Sequence, residues 1–158
     1  MKDIFNDASF ERFLVGGVKD LDEGIGQLVY EVYRKKLVET IWSCSGHIGD
    51  IIDGNTSTRP QTHFVYNCGK FFYKVLPERN SELFSLSLKR EVSECAFARI
   101  YPYEGSERLV LEMRDIEDMA GRQKWEYGEV PIELARKRLG EFKQFWSRLT
   151  DVARTFNK

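Results

Sequence analysis

The chain has 158 residues, and its 24 lysines and arginines nearly balance its 25 aspartates and glutamates. This length favours one domain over residues 1–158, and the balanced charge argues against strong non-specific binding to nucleic acid. No apolar run approaches the roughly 18 residues of a membrane helix, and the acidic start is unlike a secretory signal. With an odd number of widely spaced cysteines arguing against a disulfide framework, we expect a cytoplasmic protein that does not enter a membrane.

The first predicted element is a helix over residues 20–36. Asp20 and Glu23 stand at the spacing of a capping box, with the aspartate as the cap. The apolar residues that follow recur at helical spacing and share one face: Ile25, Leu28, Val29 and Val32. A helix here would pack this face against a core.

Strand signals follow the helix directly. Residues 38–43 alternate in character, which predicts a strand. One face of that strand is expected to carry Val38, Thr40 and Trp42. Residues 49–60 are rich in Gly, Asn, Asp, Ser and Thr and predict a loop, and residues 61–67 return to a strand pattern.

The middle of the chain predicts a helix and a hairpin. Residues 69–92 are ambiguous in pattern, and a helix is favoured over about residues 81–91. Strands over about 95–102 and 107–115 would form a hairpin with Gly105 in the turn. Aromatic residues near this turn, Tyr101 and Tyr103, could stack on a base, although cross-strand packing is more usual.

A long C-terminal helix opens at Pro131 and extends to about residue 157. Its apolar residues step by three and four in turn: Ile132, Ala135, Leu139, Phe142, Trp146, Leu149, Ala153 and Phe156. Such a stripe favours packing across a sheet as core, and its narrowness leaves open a homodimeric coiled coil through residues 131–157. Together the elements predict an α+β domain, with a mixed sheet of about four or five strands covered by two or three helices.

The stretch "ETIWSCSGHIGD", residues 39–50, concentrates chemically capable side chains around one glycine. Residues 20–48, with "SCSG" at Ser43–Gly46, resemble the start of the wybutosine-synthesising tRNA methyltransferases, and "PQTHFVYNCG" at residues 60–69 is a weaker echo. That family usually has Arg where this chain has His47. The resemblance implies a shared fold, an RNA substrate and S-adenosylmethionine as cofactor. The chain also resembles short uncharacterised prokaryotic and phage proteins with an S-C-x-G-H motif and a late "FWSRL", here residues 145–149.

One interpretation of the motif is a ligand pocket built from backbone. A strand end at Ser43, Ser45, Gly46 and His47 would present hydroxyl and N–H groups to a nucleotide-like or RNA ligand. Gly46 is then expected at positive φ, and Arg59 in the adjoining loop could meet an anion at the same edge.

Two further interpretations use the sulfur. Cys44 could be a catalytic nucleophile with His47 or His63 as its base. The same three residues with Cys68 imitate zinc-finger spacing, but His63 and Cys68 would face opposite sides of a regular strand, so no metal is expected. The simplest alternative is that Cys44 is a small buried residue at a strand end and His47 a loop residue.

The function is therefore expected in one of two classes. The first is a small RNA- or nucleotide-binding protein related to tRNA modification, with Cys44, His47 and His63 as candidate catalytic residues if it is an enzyme. The second is a non-enzymatic interaction module, of phage or host-accessory type, that acts through its surface and C-terminal helix.

Overall fold

The computed structural model describes residues 23–50, 64–67, 69–113, 126–127 and 132–156. In chain order the elements are α1 (Glu23–Arg34), β1 (Glu39–Cys44), β2 (His47–Asp50), β3 (Phe64–Asn67), β4 (Lys70–Lys74), α2 (Arg79–Ser93), β5 (Ala98–Pro102), β6 (Arg108–Met113), β7 (Glu126–Tyr127) and α3 (Ile132–Thr155). Helices and an antiparallel sheet pack together, so the predicted α+β class is confirmed.

Two antiparallel sheets are present in the described residues, one of four strands in the order β1-β4-β6-β5 and one of three in the order β2-β3-β7. The expectation of a mixed sheet is wrong. The helical crossover through α2 joins β4 to β5, which could have paired in parallel. Because β6 lies between them and runs antiparallel to both, no neighbouring strands run in the same direction.

The two sheets share one long, bent hairpin. In the four-stranded sheet Cys44 pairs with Lys70, and in the three-stranded sheet His47 pairs with Asn67. Two residues lie between these pairs on each strand. The register therefore continues unbroken from β1 and β4 into β2 and β3. The pairing extends to Asp50, so residues 49 and 50, predicted as the start of a loop, belong to β2; residues 51–60 of that prediction lie outside the described residues.

The corner of this hairpin is formed by Ser45, Gly46 and Gly69. Both glycines adopt positive φ, 98° at Gly46 and 102° at Gly69, so the expectation at Gly46 is confirmed. A Cβ on Gly69 would lie 2.7 Å from the carbonyl carbon and oxygen of Ser45. The two strands thus approach each other too closely at the corner for any side chain on Gly69.

The core lies between one face of the four-stranded sheet and the helices. The stripe of α3 is part of it, since four of its side chains are completely buried: Phe142, Trp146, Leu149 and Ala153. Leu139 and Phe156 pack against the same core, and the side chains of Ile132 and Ala135 lie outside the described residues. The stripe therefore packs within the chain, and a homodimer through residues 131–157, which stays a prediction, would need the other faces of α3.

Lys35, in the turn after α1, joins the first and last helices. Its ammonium donates hydrogen bonds to the carbonyls of Ala153 (2.9 Å), Arg154 and Phe156 (3.2 Å). These carbonyls belong to the last turn of α3 and the residue after it, where carbonyls have no partner within the helix. A cation here also complements the negative end of the helix dipole.

The other local predictions have mixed outcomes. The helix expected over residues 81–91 is confirmed within α2, and the hairpin is confirmed as β5 and β6, with Gly105 at φ 127° in its turn. Strand β4 was not predicted, and β1 begins at Glu39. The proposed cap residue Asp20 lies outside the described residues.

We expect Gly69→Ala to lower the free energy of unfolding by about 2 kcal/mol or more, because it combines a positive φ with contact against backbone. Gly140→Ala is the matched control: it lies within α3 and nothing is within 4 Å of the added carbon. This control should gain about 0.5–1 kcal/mol from helix propensity. Urea unfolding of both variants is the measurement, and equal stabilities would contradict the corner geometry.

Burial raises the pKa of Tyr73 from 10.0 to about 12, with a partial offset from the hydroxyl of Ser85. Below pH 10 both folded and unfolded states hold the proton, so stability is unaffected. Between pH 10 and 12 only the unfolded state ionises, and stability should fall by up to about 1.4 kcal/mol per pH unit. Tyr73→Phe should make this slope shallower in pH-dependent urea unfolding, and a slope equal to that of the unmodified protein would contradict the effect of burial on this hydroxyl.

Candidate functional site

The residues of the "SCSG" motif lie at the corner between the sheets. Ser43 is half-buried, while Cys44 is 6% exposed, Ser45 2% exposed, and Gly46 is buried. His47 starts β2, but its side chain lies outside the described residues, as do Arg59 and His63. The structure therefore places all four residues of this motif together in a largely buried bend.

The corner is fixed to the core by a hydrogen bond from α3. The indole N–H of Trp146 donates to the carbonyl of Ser45 at 3.0 Å. Both groups are buried, and Trp146 has no exposed surface. Leaving a buried carbonyl without a donor costs about 1–3 kcal/mol, so this bond is a strong reason for a tryptophan at that position.

The corner geometry bears on the expected ligand pocket. A pocket at Ser45 and Gly46 needs their backbone N–H groups open to a ligand, but both residues are buried. Small residues and a glycine in this run are explained by the close approach of Gly69 and by the positive φ of Gly46. These residues therefore have a structural reason that needs no ligand.

Thiol chemistry also meets an obstacle at Cys44. A nucleophilic cysteine is usually a partly exposed thiolate in electropositive surroundings. Cys44 is buried at the end of β1, on the face of the sheet opposite the helices. Its burial is what the simplest interpretation of this residue expects.

Of the four residues with zinc-finger spacing, only Cys44 has a described side chain. Within the described part of the chain, no group of three or more His, Cys, Asp and Glu side chains is arranged to hold an ion. The pairings of Cys44 with His47, His63 and Cys68 fall outside that part.

A different surface gathers groups suited to binding. The face of the four-stranded sheet opposite the helices, called here the aromatic face, carries Trp42, Phe72, Tyr101 and Tyr103. Trp42 is 48% and Tyr103 47% exposed, and the rings of Phe72 and Tyr103 meet edge to face with centroids 5.0 Å apart. Trp42, Phe72, Val110 and Tyr101 are successive register partners across all four strands. The row is therefore aromatic on three of the four strands, and its member on β6 is the buried Val110.

One end of this row holds a buried carboxylate. Glu112 has no exposed surface, and its two oxygens accept hydrogen bonds from Arg99 Nε at 2.5 Å and the Tyr101 hydroxyl at 3.0 Å. Arg99 also lies over the Tyr101 ring, 5.1 Å from its centroid, while half of its side chain remains exposed. Burial and the bond to Glu112 raise the pKa of Tyr101, so its hydroxyl stays a donor at neutral pH. Arg99 is thus held in a defined orientation on the aromatic face.

Sequence reasoning missed this face because of a bulge in β1. Thr40 pairs with Tyr73 and Trp42 with Phe72, so Ile41 is an extra residue in the ladder. The bulge places Thr40 with the core-facing Tyr73 and Trp42 with the outward Phe72, whereas simple alternation had put Thr40 and Trp42 on one face. Tyr101 and Tyr103 were noted as possible stacking residues, and they are the signal that could have found the site.

Comparison with known proteins gave no match to a family model, a curated protein or a solved structure. The resemblance to the wybutosine-synthesising enzymes therefore stays a prediction. Among the described helices, none has the length and apolar character needed to cross a membrane.

We expect Cys44 to resist a thiol reagent in the folded protein, because it is buried. Two single-cysteine variants provide the test: Cys68→Ser/Cys95→Ser keeps Cys44, and Cys44→Ser/Cys68→Ser keeps the half-buried Cys95. Burial raises the pKa of Cys95, so its reaction should be slow at pH 7 and quicken as the pH rises. Cys44 should react at least about 100-fold faster in urea than when folded, since local opening limits its access. Rapid labelling of folded Cys44 would revive the nucleophile interpretation.

Proposed function

We propose that this protein binds single-stranded RNA on the aromatic face of its four-stranded sheet. The observation that carries the proposal is the group of aromatic side chains on this face, Trp42, Phe72, Tyr101 and Tyr103, of which Trp42 and Tyr103 are half-exposed. The proposed ligand class is the one expected from the sequence. The proposed site is the aromatic face and not the "SCSG" corner.

The size of the row suits a few unstacked bases. Neighbouring strands lie about 4.8 Å apart, so Trp42 and Tyr101, three strand spacings apart, are separated by about 14 Å. Known RNA-binding sheets stack two or three bases on aromatic side chains of one face, with helices on the other. Every base has a flat face, so stacking of this kind tolerates many sequences.

Charge on this face is modest. Four cationic residues lie on or beside it, Lys70, Lys74, Arg99 and Arg108, set against three carboxylates, Glu39, Glu104 and Glu112. Two of these carboxylates are already paired, Glu112 with Arg99 and Glu104 with Arg108 at 3.8 Å. Stacking should therefore supply most of the affinity, and few phosphates should be neutralised. We expect log Kd to rise with log salt with a slope no steeper than about +3.

The enzymatic form of the proposal would add S-adenosylmethionine, which the family resemblance implies. The corner that carries the family motif is buried beneath Gly69 and Trp146 and offers no open cradle for a cofactor. We therefore include no methyl-transfer step. Calorimetric titration with S-adenosylmethionine checks this, and heat of binding would restore the enzymatic form.

We expect Trp42→Ala and Tyr103→Ala each to weaken binding of a fluorescent single-stranded RNA of about eight nucleotides by roughly five- to 100-fold. Each substitution removes a stacking surface, and both side chains are exposed enough for the protein to stay folded. Fluorescence anisotropy at fixed salt is the measurement, with melting temperature recorded for each variant.

Leu83→Ala is the matched control, since Leu83 is 40% exposed but lies on α2. Its RNA affinity should equal that of the unmodified protein. If the protein binds no RNA, or if Leu83→Ala weakens binding as much as Trp42→Ala, the proposal is wrong. Capture of a protein instead of RNA by the aromatic face would favour the alternative of a non-enzymatic interaction module.

A further inference from the structure

A groove of about 620 Å³ lies between α2 and the four-stranded sheet. It is a different surface from the aromatic face. Its volume falls in the range of small-ligand sites. Apolar side chains line it, chiefly Val75, Leu76, Leu86 and Leu109. Leu86 is 54% exposed, the largest exposure among the large hydrophobic residues described. The groove therefore presents an apolar surface that the core does not use.

Charges of opposite sign lie at the two ends of the helical wall. Glu82, Leu86 and Lys89 line the groove from one face of α2, and Lys89 is seven positions after Glu82. At a rise of 1.5 Å per residue, their backbone positions are about 10 Å apart. A carboxylate thus marks the N-terminal end of the groove and an ammonium marks the other.

A second carboxylate strengthens the acidic end. Glu107 also lines the groove, and its backbone carbonyl accepts a 2.7 Å hydrogen bond from the N–H of Val75. The chain from Val75 leads into the start of α2, where the N–H of Leu76 donates to the Ser81 hydroxyl at 2.8 Å. The backbone of Glu107 is therefore at the same end as Glu82, and its carboxylate lies beside Gly105 in the turn between β5 and β6. Lys74 borders this end too, but it alternates with buried Tyr73 and belongs to the opposite face of the sheet.

None of Glu82, Lys89 and Glu107 forms an ion pair with another residue in the described part of the chain. From the charges, their spacing and the apolar lining, we propose that the groove binds a short peptide of about three residues with free termini and apolar side chains. Three extended residues span about 10 Å, which matches the separation of the charged ends. The peptide ammonium lies between Glu82 and Glu107, its carboxylate meets Lys89, and its side chains cover Leu86.

The probe for this proposal is tri-leucine with free termini, titrated into the full chain and followed by amide chemical shifts in NMR. Its capped form, N-acetyl-tri-leucine amide, has the same apolar body without the charges. The free peptide should bind several-fold more tightly than the capped one, because only the free peptide can form charge pairs with both ends of the groove. Absence of binding at millimolar peptide, or equal binding of both forms, would overturn the proposal.

Variants locate the site. Lys89→Glu and Glu82→Lys should each weaken tri-leucine binding about three- to five-fold, because each places a charge of the wrong sign at one terminus of the peptide. Lys143→Glu, an exposed charge change on α3 away from the groove, is the matched control and should have no effect. Leu86→Asp should weaken binding at least about ten-fold, because it removes the apolar contact at an exposed position where folding is unaffected.

Two more outcomes separate this site from others. RNA affinity should be the same in Leu86→Asp as in the unmodified protein, so failure of either proposal is visible independently of the other. If the protein self-associates with rising concentration and Leu86→Asp abolishes this, the groove is filled by a second copy and the peptide proposal is wrong.

Discussion

Close backbone contact at one corner sets the arrangement of both sheets. The bent hairpin keeps a single register through the bend. Neither strand has an extra residue there, so the two strands stay in close contact. Gly69 therefore lies directly against Ser45, and only a glycine fits. The buried Ser45 carbonyl at this corner accepts the hydrogen bond from the indole of Trp146. The corner thus connects the two sheets to each other and to α3.

The four-stranded sheet divides its residues between two environments by simple alternation. On β4, Phe71 and Tyr73 enter the core, while Phe72 joins the aromatic face. The helices pack on the core side. The other side holds a fully buried carboxylate, Glu112, whose charge is compensated by Arg99 and a tyrosine hydroxyl. A buried charge of this kind is costly unless it is paired, and here the pairing also fixes the orientation of an exposed cation.

Local periodicity in the sequence was enough to predict the three described helices and the β5–β6 hairpin, because each is specified within its own residues. Strand β4 was missed since "KFFYK" has apolar residues in succession, with Phe72 facing outward between two core residues. The bulge at Ile41 and the register through the corner depend on a partner strand more than twenty residues away, and no pattern within β1 reveals them. The "SCSG" motif invited a chemical interpretation because small, reactive residues suit both a ligand pocket and a tight bend.

The bulge at Ile41 has a further consequence for how this molecule behaves in concentrated solution. Strand β1 is an edge of its sheet, and it exposes both Ile41 and Trp42. A regular edge with such side chains would offer an open ladder of hydrogen bonds to the edge of another molecule. The extra residue interrupts that ladder, and Pro102, at the end of the opposite edge strand β5, lacks the N–H that a new strand would need. Among the described strands, both edges of the four-stranded sheet thus carry a feature that opposes the addition of a strand from another molecule.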